Sequence, residues 1–353
     1  GVRREVTYER KLEQIGREVG EVLDDPTADV DLEPTLGDDV LRLMFAACHP
    51  VLAPEARVAL TLKVVGGLGT AEIARAFLVP VPTMAARLTR AKKALHDADV
   101  PFEVPTGAEL GPRLASVLEV VYLIFNEGYA ATSGDTVARA ALCDEAMRLG
   151  RMLAALAPGE PEAQGLVALM EIQASRLRAR VAPNGLPVQL AEQDRTRWDR
   201  TLIAHALAAL ERALASPGAE RGPYVLQASI AACHARAATF ALTDWVSIAN
   251  LYATLVEVTG SPVVELNRAV AVAMADGPAA GLAVVDELVA EDVPALRSYH
   301  LVPAVRGDLL ERLGRHDESR AEFLRAADLC ANEPERALLR RRGGPTPRNP
   351  AGS

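Results

Sequence analysis

Aromatic side chains are scarce in this chain, at 4% of residues. A sheet-built fold draws on β-branched and aromatic residues, whereas Ala, Leu, Glu and Arg dominate here and lose little rotamer freedom in a helix. Cysteine is sparse too: Cys48, Cys143, Cys233 and Cys330 lie far apart and form no Cys-x-x-Cys pair. That spacing suggests neither a zinc site nor a disulfide scaffold, and buried free thiols in a reducing cytoplasm are expected. No apolar run approaches the ~18–20 residues needed to span a bilayer. No signal-peptide pattern is visible either, so a cytoplasmic location without a membrane partner is expected. A Gly-rich phosphate loop, a nucleophile elbow and a metal-ligand cluster are all lacking, so no catalytic residue, cofactor or metal is expected and the chain does not read as an enzyme.

What is present is a chain of 353 residues, half of them apolar. It can bury a sizeable core, and at roughly 100–200 residues per domain it holds two or three domains. The net charge is −9. A polyanion of this kind is not a nonspecific DNA coat, so any DNA-binding charge has to be local.

Punctuation along the chain gives the organisation. Residues 1–23 read as one charged helix with Leu12, Ile15, Val19 and Val22 on its apolar stripe. Residues 24–37 are acidic and carry two prolines, which reads as a linker. A helical block follows over 38–98, then a Pro- and Gly-containing break over 99–112. From 113 to 342 helical patterns alternate with short Gly/Pro breaks, and 343–353 reads as a disordered tail. Amphipathic stretches pair across Pro158, across Asp276–Pro278 and across Gly314. Helix pairs recurring at roughly 34 residues suggest an array in which each hairpin buries its face on the next.

The most informative stretch is TAEIARAFLVPVPTMAARLTRAKKALHDA, residues 70–98. Thr70 can cap a helix through its hydroxyl, and Glu72 suits the first turn. Ile73, Ala76 and Phe77 give this short helix an apolar face, and the small Ala74 admits a close neighbour. Pro82 is tolerated in the first turn of the next helix. There Met84, Leu88, Ala91 and Leu95 share a core face, while Thr83, Arg87 and Arg90 share another. Lys92 and Lys93 add charge, and no acidic residue lies between Val81 and Leu95. A short helix, tight turn and longer basic helix is the grammar of a DNA-binding helix-turn-helix. A basic outer face is otherwise the ordinary solvated side of a helix.

The block over 38–98 resembles region four of extracytoplasmic-function sigma factors. The carrying residues are Glu72-Ile73-Ala74, Val79-Pro80, Thr83-Met84, Arg87-Leu88 and Arg90-Ala91. Pro82 departs from the usual Gly, and Ala85-Ala86 from a usual Lys/Arg-Ser pair. The resemblance implies recognition of the promoter −35 element, with phosphate contacts from Thr83, Arg87 and Arg90. The DNA-contacting set expected on this basis is Thr70, Val81, Pro82, Thr83, Ala86, Arg87, Arg90 and Lys93. It also implies that the apolar helices before residue 70 dock the β-flap of core RNA polymerase. Residues 1–37 look like the end of a region two, the part that binds the polymerase clamp, so a fragment of a longer factor or a divergent start is expected. Cys48-His49-Pro50 invites a metal reading, but a capped helix end is the expected account.

The rest of the chain resembles the subgroup of these factors with a large tetratricopeptide-like extension. Gly307, Gly314, Phe323 and Ala326 fall at consensus positions of such a repeat, and Ser319 stands where Ala is usual. Further carrying stretches are YLIFNEGY, EQDRTRWDR, DWVSIANLY and PVVELNRAVAV. The resemblance implies an all-α chain in which the extension controls activity, with a possible intramolecular contact between extension and helix-turn-helix. A masking of the basic helix by the acidic extension is one form of that control. Asn126, Glu127, Tyr129, Asp194, Arg195, Trp198, Asp244, Trp245, Asn267 and Arg268 are candidates for a regulatory or partner surface; ties between neighbouring helices are the plainer account of each. The alternative function is a helical-repeat interaction scaffold whose helix-turn-helix-like block is structural only.

Overall fold

A computed structural model describes residues 34–344, apart from 78, 130–135, 183–187 and 331. The charged helix expected over 1–23 lies outside the described residues, as does the expected tail of 343–353 apart from Gly343, which ends the last helix, and Gly344. Among those described, the chain forms fifteen α-helices, short 3-10 turns and no strand, an all-α fold. It divides into two compact units, up to 228 and from 229.

The first unit begins with α1 (Pro34–Ala47), α2 (Pro54–Val64), α3 (Thr70–Ala76) and α4 (Val81–Asp97). Residues 34–37, read above as part of a linker, already belong to α1. Proline explains the difference: it breaks a helix interior but suits the first turn, where its missing N–H has no partner to lose. Then come α5 (Leu110–Tyr129), α6 (Thr136–Leu156), α7 (Pro161–Ser175), α8 (Arg200–Leu214) and the start of α9 (Pro223–Arg236). Residues 99–112 connect α4 to α5 inside this one unit.

Polar ties seat the early helices on α5 and α6. Arg113 donates to the Phe45 carbonyl at 2.8 Å, and the Ser116 hydroxyl to the Cys48 carbonyl at 2.6 Å. Arg57 on α2 is buried and reaches Ser116 at 2.7 Å and Glu119 at 3.0 Å. Arg148 on α6 donates to the Val65 carbonyl at 3.2 Å. The bonds from Arg113, Ser116 and Arg148 each satisfy a carbonyl at the end of α1 or α2 that has no intrahelical partner, while Arg57 joins α2 to α5 side chain to side chain.

Two residues of α7, three apart and so on one face, receive α9. Glu162 accepts the Tyr224 and Val225 N–H groups at 2.9 and 3.0 Å, capping the new helix. Gly165 lets it approach: a Cβ there would sit 2.8 Å from the Val225 nitrogen. Gly165→Ala is therefore expected to cost about 1–3 kcal/mol through overpacking. Chemical denaturation of the full chain checks this, and an unchanged or raised midpoint would contradict it.

The second unit holds the rest of α9, then α10 (Trp245–Thr259), α11 (Pro262–Ala275), α12 (Pro278–Ala290), α13 (Leu301–Arg312), α14 (His316–Leu329) and α15 (Glu333–Gly343). Its core contains Leu266, Leu282, Val285, Leu309 and Leu310, with Phe323 and Ala326 in a neighbouring cluster. Gly314 turns α13 into α14 at φ 75°, a conformation that favours glycine. Gly307 faces the Phe323 ring, 3.1 Å from where a Cβ would lie. Ser319 uses its hydroxyl, donating to the Gly307 carbonyl at 2.8 Å.

Candidate nucleic-acid interface

α3 and α4 form the short-helix, turn, longer-helix unit. The start of α3 differs from expectation. Gly69 takes the capping position, and Glu72 Oε2 accepts its N–H at 2.6 Å. Thr70 is the first helical residue and caps nothing, because the carboxylate reaching back from the first turn satisfies the amide instead. Ile73, Ala74 and Ala76 are buried, and Phe77 is half-buried. The turn closes with Phe77 N–H on the Ile73 carbonyl and Val79 N–H on the Ala74 carbonyl, both at 3.0 Å. Pro80 stands at the N-cap of α4 in extended conformation, and Pro82 lies in the first turn.

On α4, Met84, Leu88, Ala91 and Leu95 are buried, at the spacing of one helix face. Val81, Pro82, Thr83, Ala85, Ala86 and Arg90 are exposed, and Arg87 is half-buried. Arg90 Nε donates to the Ala86 carbonyl of its own helix at 3.3 Å. No carboxylate pairs with Arg87 or Arg90 among the described residues. Lys93 pairs with Asp97 at 3.0 Å, but both are exposed, so the pair is weak and easily exchanged. Thr83, Ala86, Arg87, Arg90 and Lys93 thus lie along the outer side of α4, while Thr70 stands on α3.

The expected regulatory surface divides. Asp194 and Asp244 are structural caps: Asp194 accepts from the Thr196 N–H and hydroxyl, and Asp244 from those of Ser247. Those hydrogen bonds hold both carboxyls below the usual range. Arg195 and Trp198 are buried, so they present no open surface. Trp245 packs edge-on against His234 and Phe240. Arg268 is clamped by Glu265 at 2.6 and 2.8 Å, while Asn267 beside it is exposed. Asn126 and Glu127 are half-buried, and Asn126 bonds the Tyr122 hydroxyl. Tyr129 receives two arginines: the Arg180 guanidinium lies 3.8 Å from its ring centre, and Arg176 donates to its hydroxyl at 3.1 Å.

The cysteines are free. Three are buried, and Cys233 is half-buried against the expectation that all would be enclosed. Cys48 lies 3.3 Å from the Thr61 hydroxyl, and burial pushes its thiol up to about 12. Burial does the same to Cys143, also to about 12. At pH 8 the thiolate fraction of either is about one in ten thousand. Both are expected to resist alkylation in the folded chain and to react on unfolding; rapid labelling of Cys48 in the native state would contradict this. Cys48-His49-Pro50 does end α1, with His49 Nδ1 accepting the Val51 N–H at 3.1 Å.

Sequence spacing missed one cluster. His300, Cys330 and Glu335 bring potential metal-ligand atoms within 4.8 Å of one another, the one such group among the described residues. Only the folding of α13 and α15 joins them. Glu335 already serves both neighbours, through His300 at 3.2 Å and the Cys330 thiol at 3.7 Å, so the group is satisfied by its own hydrogen bonds.

Comparison with known proteins agrees with this geometry. Residues 42–95 match the family described as Sigma-70, region 4, and residues 113–214 match a family of unknown function, DUF6596. No solved structure matches the chain. An uncharacterized protein, R00370, of Rhizobium meliloti (strain 1021) is 46% identical over 303 residues, covering 86% of this chain and 70% of its own length. The chain therefore carries a sigma-70 region 4 domain followed by a DUF6596 domain, and it belongs to the same family as the Rhizobium meliloti protein.

Proposed function

We propose that the chain acts in transcription initiation as a sigma factor of the extracytoplasmic-function type, controlled by its own helical extension. The observation that carries this reading is the outer side of α4. It is free of acidic residues from Val81 to Leu95, open to solvent, and held rigid by four buried residues on the opposite face. Thr83, Arg87 and Arg90 contact phosphates as the helix enters the major groove at the −35 element. Val81, 47% exposed, stands with Pro82, Ala85 and Ala86 where base edges approach. Such side chains read thymine methyl groups rather than hydrogen-bonding patterns. The chain works by binding promoter DNA and core RNA polymerase in the cytoplasm, without catalysis.

The seating of α5 on α1 and α2 supports control from within. Those two helices are the half that the sigma resemblance assigns to polymerase docking, and Arg57, Arg113 and Ser116 tie them to the extension. Any rearrangement of α5 is felt there directly. The tetratricopeptide-like helix pairs of the second unit complete the extension. Cutting the chain at Arg113 would strip α5 from that core, so full-length protein is the material for every test.

The full chain, mixed with core polymerase and a randomised duplex library, is expected to enrich one short motif rich in thymine. Recovery of the library without sequence preference would contradict promoter recognition.

A further inference from the structure

Three helix ends of the second unit meet at His300, Cys330 and Glu335. His300 immediately precedes α13, Cys330 follows the last turn of α14, and Glu335 is the third residue of α15. One potential ligand atom from each lies within 4.8 Å of the other two. His300 Nε2 stands 3.2 Å from Glu335 Oε1, and Cys330 Sγ stands 3.7 Å from Glu335 Oε2.

Each side chain is positioned by residues outside the group. Cys330 is buried and packs in the cluster of Phe323, Ala326, Ala327 and Leu339. The Tyr299 ring meets the His300 ring edge-on, with 6.0 Å between centres. Asn332 Oδ1 accepts the Glu335 N–H at 3.1 Å, which fixes the start of α15. Asn332 and Glu335 thus stand at the two positions of a capping box, where the carboxylate ordinarily turns back to the cap amide. Glu72 does so at Gly69. Glu335 turns to His300 and Cys330. Arg336 beside it pairs with Glu333.

Hydrogen bonds satisfy the group while the thiol keeps its proton. A thiol is a weak donor, however, and this one reaches its carboxylate only at 3.7 Å. A cation that favours sulfur and nitrogen would hold the same atoms more strongly. Ligands about 2.0–2.3 Å from a tetrahedral zinc stand about 3.3–3.6 Å from one another. The separations of 3.2 and 3.7 Å fall on either side of that range. His300 and Cys330 would close to it from within 4.8 Å. Thiolate and carboxylate supply two negative charges against a divalent ion, and neutral imidazole adds none, so the loaded site carries no net charge. Calcium and magnesium prefer shells of oxygen alone, whereas thiolate, imidazole and carboxylate together suit zinc. The His300 and Glu335 side chains are 23% and 41% exposed, which gives an ion its entry and leaves a fourth position to water.

We propose that His300, Cys330 and Glu335 form a binding site for one divalent ion of the zinc type, which staples the ends of α13, α14 and α15. On binding, the sulfur–metal bond forms as the thiol proton passes to water, with no change of oxidation state. The site stands independently of the DNA reading.

Cobalt(II) is the probe, because its thiolate complexes absorb where zinc is silent. Untagged, reduced, full-length protein is stripped with a chelator and titrated with cobalt(II), then with zinc as competitor. A thiolate-to-cobalt charge-transfer band is expected to saturate at one ion per chain, with half-saturation below about 10 μM, and zinc should displace it. The melting temperature should rise with zinc and not with magnesium. Cys330→Ser should abolish the band. His300→Gln and Glu335→Gln should each weaken binding at least about tenfold with circular dichroism unchanged. Should Cys330→Ser fold poorly, the partly exposed Glu335→Gln carries the comparison. No saturable band up to about 1 mM cobalt would overturn the site. So would a band that persists in Cys330→Ser, which would place the ion on Cys48, Cys143 or Cys233, or an affinity unchanged by either glutamine variant.

Discussion

Replacing Arg87 and Arg90 together with alanine is expected to weaken DNA binding at least about tenfold on every sequence and to flatten its salt dependence by about two powers of salt concentration. The size follows from the placement of the two side chains. They lie one helical turn apart on the outer side of α4, neither is held by a carboxylate, and both are therefore available to phosphates. The loss should be uniform because phosphate contacts position a protein without reading sequence. Stability should barely change, since the face that seats the helix is Met84, Leu88, Ala91 and Leu95. Wild-type affinity and slope in the double variant would mean that α4 is not the contact.

The largest effect on folding is expected at Glu171. Its carboxylate is wholly buried in α7 and accepts from Arg151 on α6 at 2.7 Å, with His205 Nδ1 on α8 at 2.6 Å from its other oxygen. One acidic group thus joins three consecutive helices of the DUF6596 domain. Glu171→Ala leaves the partly buried Arg151 without its counter-charge and opens a cavity, and about 3–5 kcal/mol of stability should be lost. Equilibrium denaturation of the full chain measures it. A loss under about 1 kcal/mol would show that the pair is no better than an exposed one.

These two sites differ in how far the sequence displays them. The two faces of α4 follow from helical period alone, so Met84 and Arg87 separate before any coordinates exist. The helix hairpins at Gly314 and Pro158 are visible for the same reason. Thr70 misleads because two capping arrangements compete locally, and only geometry shows that Glu72 reaches Gly69. Arg195 and Trp198 read as a surface patch because charge and aromaticity are common at partner sites. In the fold both are buried and stacked on one another beside Arg176, which stands far off in sequence. Glu171 gives no sequence sign, because its partners come from two other helices whose packing the sequence does not spell out. The meeting of His300 with Cys330 and Glu335 is hidden for the same reason.

The most direct test of the central claim is a titration of full-length protein onto duplex DNA at several salt concentrations. If α4 lies along the phosphates, the logarithm of the association constant falls linearly with the logarithm of salt, with a slope of about −2 or steeper. A flat line, or no binding even in dilute buffer, would contradict a DNA-binding role for this helix.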